Sequence, residues 1–192
     1  MKDAGKVSSN MAIDRYQSIM AMGTSTGIIK IFSLKGYEQE IYDAHDYEIC
    51  HVAFVPNQGL LVSIDVTNMM KLWMLEDLDD CEVQLMVPHP DPENCKVSCL
   101  YVPNFLTNKK ENHRHIFIGM EQGFIYVFDL QTRKFANYII SLAKLNLPGL
   151  GEEDKTDLVN DIKCHMTKMH RLLISFSRTA VLVFSINKNR SI

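Results

Sequence analysis

Gly59-LLVSIDVTNMMKLWML-Glu76 is an apolar run, a short polar segment and a second apolar run that closes on an aromatic, any residue and an aliphatic. Two such runs flanking a polar turn read as a β-hairpin. The pattern recurs in Ser18-IMAMGTSTGIIKIFSL-Lys35, Arg114-HIFIGMEQGFIYVFDL-Gln131 and Arg171-LLISFSRTAVLVFSI-Asn187. Phe32, Trp73, Phe128 and Phe184 hold the same position in the four copies, at steps of 41, 55 and 56 residues. Gly27, Asn68 and Gly123 share one turn offset, and these residue types tolerate the positive φ that a tight hairpin turn requires. The fourth copy has Thr179 there and is predicted to turn less comfortably. Self-similarity at such a period marks a repeat architecture.

Glu48-ICHVAFV-Pro56, Lys96-VSCLYV-Pro103 and Val159-NDIKCH-Met166 precede the second, third and fourth hairpins, and each is predicted to be an innermost strand. Tyr37-EQEIY-Asp43, Glu82-VQLMV-Pro88 and Phe135-ANYIISL-Ala143 follow the first three hairpins as candidate outer strands, and residues 6–13 supply a first inner strand. Four short strands per repeat fit propeller blades better than a sandwich. The predicted fold is all-β: a single partial WD-repeat-like β-propeller over 1–192, about three and a half four-stranded antiparallel blades at 6–43, 44–88, 95–143 and 158–192. A propeller closes with roughly 4–8 blades, so the ring is expected not to be closed by this chain alone. A longer parent chain, a partner or self-association would complete it, because unpaired edges invite aggregation. Residues 104–115 and 144–156 are predicted surface loops by composition.

With 46% hydrophobic and 22% charged residues among 192, the chain can bury a sizeable core. A net charge of -3 and a pI near 6.1 give no overall attraction to nucleic acid or anionic lipid. The start lacks the apolar core of a secretory signal, and no apolar run approaches the roughly 18 residues needed to span a bilayer. Five scattered cysteines, Cys50, Cys81, Cys95, Cys99 and Cys164, include no C-x-x-C pair. That usage suits reduced thiols acting as small buried hydrophobes in a soluble cytoplasmic protein.

Chemistry-bearing patterns are sparse. Gly23-Thr-Ser-Thr-Gly27 lacks the Gly-Lys-Ser/Thr ending of a phosphate-binding loop and leads into a strand, so it reads as a hairpin turn. His89, Cys95, Cys99, His113 and His115 include metal-ligand types, but residues four apart on a strand lie roughly 13 Å apart, too far to chelate one ion. Cys164 and His165 point to opposite faces if both are in a strand. No metal, cofactor or catalytic residue is expected, and the chain reads as a non-enzyme. Acidic 76–80 and 152–154 are solvated loops, Lys109, Lys110 and Arg114 fall short of a lipid-binding cluster, and the 11 methionines fill gaps in blade cores.

In the second copy, Ala44-His45 precedes the inner strand and Leu72-Trp73-Met74 ends the hairpin, which resembles a WD repeat with a degenerate signature. In such repeats a His, a strand Ser or Thr, a turn Asp and the Trp form a hydrogen-bonded tetrad. The resemblance puts His45, Ser63 and Trp73 in three of its places, while Thr67 stands where the Asp is expected and Asp65 lies two residues early.

Across the chain, Ala21-MGTSTGIIKI-Phe32, Gly36-Tyr37-Glu38, Val52-Ala53-Phe54, Gln58-Gly59-Leu60-Leu61, Ile118-Gly119-Met120-Glu121-Gln122-Gly123 and Leu173-Ile174-Ser175-Phe176 resemble, in order and spacing, the start of the lethal giant larvae and tomosyn family. Members carry two consecutive propellers and regulate membrane traffic and cell polarity. The resemblance implies the N-terminal part of the first propeller and a non-catalytic scaffold for SNARE-dependent exocytosis and polarity. Its implied partners are syntaxin-class SNAREs, with a Rab-type GTPase or myosin as further ones, and its implied location is cytoplasmic or peripheral at the plasma membrane or vesicles. A WD-repeat structural subunit of a large multiprotein assembly is the alternative reading.

Overall fold

The computed structural model describes residues 7–14, 17–33, 35–36, 38–77, 80–103, 115–137, 139–141, 144, 159–164, 171–177 and 181–185. The chain divides into two compact units, Met1–Val87 and Pro88–Ile192. In the first unit, β1 (Val7–Asp14), β2 (Ile19–Thr24), β3 (Ile29–Ser33) and β4 (Glu38–Ile41) form one antiparallel sheet, in that order. The strands β5 (Ile49–Val55), β6 (Leu60–Asp65), β7 (Met69–Met74) and β8 (Cys81–Met86) form a second. In the second unit, β9 (Val97–Tyr101), β10 (His115–Met120), β11 (Phe124–Asp129) and the short β12 (Lys134–Phe135) form the third sheet, with β13 (Ile140–Ser141) also on β11. The fourth sheet is β14 (Val159–Cys164), β15 (Arg171–Phe176) and β16 (Val181–Ser185). The protein is all-β: no α-helix occurs among the described residues, every sheet is an antiparallel meander of blade type, and none closes into a barrel.

The hairpin pattern in the sequence is a register in space. Met20 faces Phe32, Leu61 faces Trp73, Ile116 faces Phe128 and Leu172 faces Phe184. Gly27, Asn68 and Gly123 turn their hairpins at φ of 77°, 67° and 76°; Thr179 lies outside the described residues. The third sheet departs from expectation at its rim, where the single strand read over 135–143 is two fragments. The five steps from Phe135 to Ile140 run beside only three on β11, from Phe128 to Ile125. The register on β11 therefore shifts by two residues between the two fragments.

A second periodicity appears only in the pairing. Val7 faces Thr24, Ile49 faces Asp65, Val97 faces Met120 and Val159 faces Phe176, so a β-branched residue opens the inner strand at one register position in all four sheets. The ladder slips directly after it each time. In both units this residue plugs a glycine of the preceding sheet. A Cβ on Gly23 would stand 2.4 Å from Ile49 Cγ2, and one on Gly119 would stand 2.7 Å from Val159 Cγ1 and 2.6 Å from Cys99 Sγ. Around these sockets Ala21, Ile29 and Ile31 of the first sheet pack with Ile49, Val52, Phe54, Leu61 and Trp73 of the second. The equivalent Phe117, Ile125 and Val127 of the third sheet pack with Val159, Ile162, Ile174 and Phe176 of the fourth.

Filling a socket forces two sheets apart. Gly119→Ala is therefore expected to cost about 1–3 kcal/mol, the usual range for overpacking, in urea denaturation followed by far-ultraviolet circular dichroism. A midpoint equal to wild type would show that Cys99 and Val159 yield freely.

Candidate functional site

The most polar buried place in the first unit is built on β6, every residue of which is buried. Residues two apart on a strand share a face, so Leu61, Ser63 and Asp65 look the same way, and Trp73 lies opposite Leu61 on that face. His45 lies in the connection between the first two sheets, with its backbone N–H donating to the Gly27 carbonyl at 3.0 Å. The Lys71 ammonium donates to the neighbouring Ala44 carbonyl at 2.6 Å and sits 5.8 Å from the centre of the Trp73 ring.

Four side chains form one hydrogen-bonded chain. Trp73 Nε1 donates to Ser63 Oγ at 2.9 Å, Ser63 Oγ lies 2.7 Å from His45 Nε2, and His45 Nδ1 lies 3.0 Å from Asp65 Oδ2. The exposures of His45, Ser63, Asp65 and Trp73 are 3%, 0%, 2% and 4%, so water cannot serve in place of these partners. The proton count sets the directions, because an indole N–H only donates and a carboxylate only accepts. Ser63 then donates to His45 Nε2, and His45 donates from Nδ1 to Asp65; this tautomer leaves no proton orphaned.

The other carboxylate oxygen, Asp65 Oδ1, accepts from Thr67 N at 2.9 Å, Thr67 Oγ1 at 2.6 Å and Met69 N at 3.0 Å. One side chain thus closes the hairpin turn and anchors the histidine. Burial pushes the Asp65 carboxyl up, but the hydrogen bonds from His45, Thr67 and Met69, with the attraction of His45, outweigh it and hold the group below its ordinary value.

Sequence reasoning brings His45, Ser63 and Trp73 together, and so does the structure; the acid's place, left unfilled by the sequence reading, is taken by Asp65. Thr67, at the position expected for Asp, is a donor to Asp65, and Asp65 bonds to His45 from two residues earlier. The alternation of Ser63 and Asp65 along β6 was the available signal. Lys71 and Gly27 were missed as supports of the His45 segment. Elsewhere the equivalent positions are Met22, Thr24 and Phe32, then Ile118, Met120 and Phe128, then Ile174, Phe176 and Phe184. Thr24 Oγ1 turns inward on its own hairpin, bonding to the Ile28 N–H and carbonyl, both at 3.0 Å. Only the second sheet has the polar residues for such a chain.

Ser63, His45 and Asp65 stand in the same order as a hydrolytic triad. The chemistry does not follow, because a nucleophile must reach a substrate and an oxyanion must meet free donors. Ser63 is fully buried, and its oxygen already accepts the Trp73 N–H.

The remaining candidates disperse. Cys99 is buried between the third and fourth sheets, where burial pushes its thiol up to about 11. Burial also raises Cys95. His89 Nδ1 accepts the Asp91 N–H at 3.0 Å, and its ring meets Phe124 edge-on at 5.4 Å. No three His, Cys, Asp or Glu converge as metal ligands among the described residues. His113, Lys109, Lys110, Arg114, the acidic 152–154 and His165 lie outside those residues, as do Leu78 and Asp79 of the other acidic run. No helix among the described residues is long and apolar enough to cross a membrane.

Blade-type sheets with one WD-like polar chain define a propeller-like repeat protein. No family model matches the chain. It is similar to LLGL scribble cell polarity complex component 2 of Mus musculus, with 21% identity over 181 residues, covering 91% of this chain and 17% of that protein. The chain therefore spans about a sixth of the length of that relative. The likeness is distant and Lgl-like, and the all-β sheets are compatible with it.

Proposed function

We propose that this chain is a non-catalytic protein-binding scaffold of lethal giant larvae type, forming over 1–192 part of one propeller in a protein that acts in cell polarity. The observation that carries the reading is a likeness to a polarity complex component that runs through 91% of the chain. The blade register supports it, since stiff sheets can present variable loops without disturbing their cores. The buried chain of His45, Ser63, Asp65 and Trp73 serves this role as a stiffener of the second blade. Fully satisfied buried networks rigidify their surroundings.

The finer reading is regulation of SNARE-dependent exocytosis, with syntaxin-class SNAREs as direct partners, a Rab-type GTPase or myosin as additional ones, and peripheral attachment to membranes through them. Affinity purification from cell extract with the full chain as bait is expected to recover polarity-complex proteins together with a syntaxin. Polarity proteins without any SNARE would retain the scaffold and reject the exocytic role. Recovery of neither would sink the proposal.

A further inference from the structure

The second sheet has an open outer margin. Its last strand, β8, pairs with β7 on one side, and no described strand pairs with the other. The Val87 N–H donates to the Asn68 carbonyl at 3.0 Å, so Asn68 and Val87 are a hydrogen-bonded pair. Bonded and non-bonded pairs alternate along an antiparallel ladder. Met70 with Leu85 and Leu72 with Val83 are therefore bonded pairs, whereas Met86 and Gln84 turn their N–H and C=O groups away from β7. Both residues are exposed, and no described strand meets those backbone groups.

Proteins blunt such margins with short strands, charged side chains or irregular pairing. The first sheet does so: β4 is four residues long and carries Glu38 and Glu40, both paired with Lys30. In the third sheet the margin is broken into the dipeptides β12 and β13. The strand β8 has neither device, being six residues long with no proline, lysine or arginine. Sheets stack through their faces, as Ala21, Ile29 and Ile31 do against Val52, Phe54 and Leu61. A further sheet of a longer chain would therefore cover a face and leave this margin open.

Side chains and charge decide what fits. Val83 and Leu85 are half-buried beside the buried Leu72 and Met70, so an added strand meets apolar surface with residues placed two apart. Residues 76–87 include Glu76, Asp77, Asp79, Asp80 and Glu82 and no lysine or arginine. A second copy of β8 would bring the same acids with it, whereas a basic segment neutralises them. We propose that the margin of β8 binds an extended segment of a partner protein in antiparallel pairing, with two apolar residues at alternate positions followed by lysine or arginine. Antiparallel pairing is the more stable per residue, and it brings the C-terminal end of the segment beside the acids that lead into β8. Backbone bonds then supply affinity and the alternate side chains specificity. None of this rests on the polarity reading, because it follows from the pairing and charge of the second sheet alone.

The probe is the end-capped, fluorophore-labelled peptide Thr-Val-Thr-Ile-Thr-Lys-Arg-Lys, titrated with the full chain and followed by anisotropy. Saturable binding with Kd below about 1 mM is expected. Gln84→Pro deletes one outward N–H and leaves the bonds to β7 in place, since proline is tolerated where the N–H faces out of a sheet. This variant should keep the wild-type circular dichroism and bind about tenfold more weakly. The reversed peptide Lys-Arg-Lys-Thr-Ile-Thr-Val-Thr, with the same charge, should lose affinity to a similar degree. In the unsubstituted chain, hydrogen exchange at the Gln84 and Met86 amides should slow when the probe is added, a readout that holds even where the proline variant fails to fold. Absence of saturable binding overturns the proposal, as does exchange unchanged at those two amides. Equal affinity for the folded Gln84→Pro variant or for the reversed peptide overturns it too, because charge alone would then explain the contact.

Discussion

Asp65→Ala is expected to cost about 3–5 kcal/mol, because it strips the shared acceptor from several donors at once and an orphaned buried group costs about 1–3 kcal/mol. The carboxylate accepts four hydrogen bonds, from His45 Nδ1, Thr67 N, Thr67 Oγ1 and Met69 N. Truncation leaves four donors without this acceptor, His45 Nδ1 in a place closed to water and the Thr67 and Met69 donors in a half-buried turn. An orphaned buried group costs its full desolvation penalty, whereas an ordinary hydrogen bond contributes only about 0.5–1.5 kcal/mol net. Against a domain stability of roughly 5–15 kcal/mol, the change removes a large fraction of the whole. Urea denaturation read through Trp73, the chain's single tryptophan, reports on this sheet directly. A loss below about 1 kcal/mol would mean that the donors find other partners.

The same carboxylate gives the effect a pH dependence of known sign. Its folded-state value lies below the ordinary one, so the unfolded chain takes up its proton first as the solution is acidified. The stability that Asp65 contributes is complete above the unfolded-state value of about 4 and is lost as pH falls through the lower folded-state value. Asp65→Asn cannot ionise. The stability gap between wild type and this variant is expected to be widest at neutral pH and to narrow as the solution is acidified through and below about pH 4. A gap that stays constant over that range would place the stabilisation in hydrogen-bond geometry rather than charge.

The hairpins were legible in the sequence because their determinants are local. Alternating side chains, a positive-φ residue and an aromatic at a fixed offset all lie within about one hairpin's length. Inner strands were legible for the same reason, as apolar runs that two of the prolines, Pro56 and Pro103, help to delimit. The rim of the third sheet was not, because Ile139 and Ile140 read as strand whether or not the ladder has slipped two residues. Asp65 read as two residues early because the acid was expected at a fixed place along the chain, the one Thr67 holds. The relevant quantity is the face of β6, and Ser63 and Asp65 share it. The plug of Ile49 into Gly23 was invisible for a deeper reason: it joins two sheets, and nothing in either segment names the other. Only the common register of the four inner strands exposes it.

Gly27→Ala is expected to be as damaging as loss of the carboxylate, although it removes nothing. At φ of +77° a Cβ would lie 1.9 Å from the His45 carbonyl oxygen and 2.9 Å from its carbon. These are backbone atoms, so no side-chain rotation relieves the collision. The turn can retreat only by breaking the 3.0 Å bond from His45 N to the Gly27 carbonyl; otherwise His45 must move, and its ring leaves Ser63 and Asp65. The left-handed backbone alone costs alanine about 1–2 kcal/mol, and overpacking adds roughly 1–3 kcal/mol or more. Gly36→Ala separates the two contributions, because Gly36 has φ of +82° with nothing within 4 Å of the added carbon. That control should show only the backbone cost. Gly27→Ala should exceed it by at least 1 kcal/mol or so and shift Trp73 emission to the red as the indole loses its buried partner. Equal losses in the two variants would show that the first hairpin does not hold His45 in place.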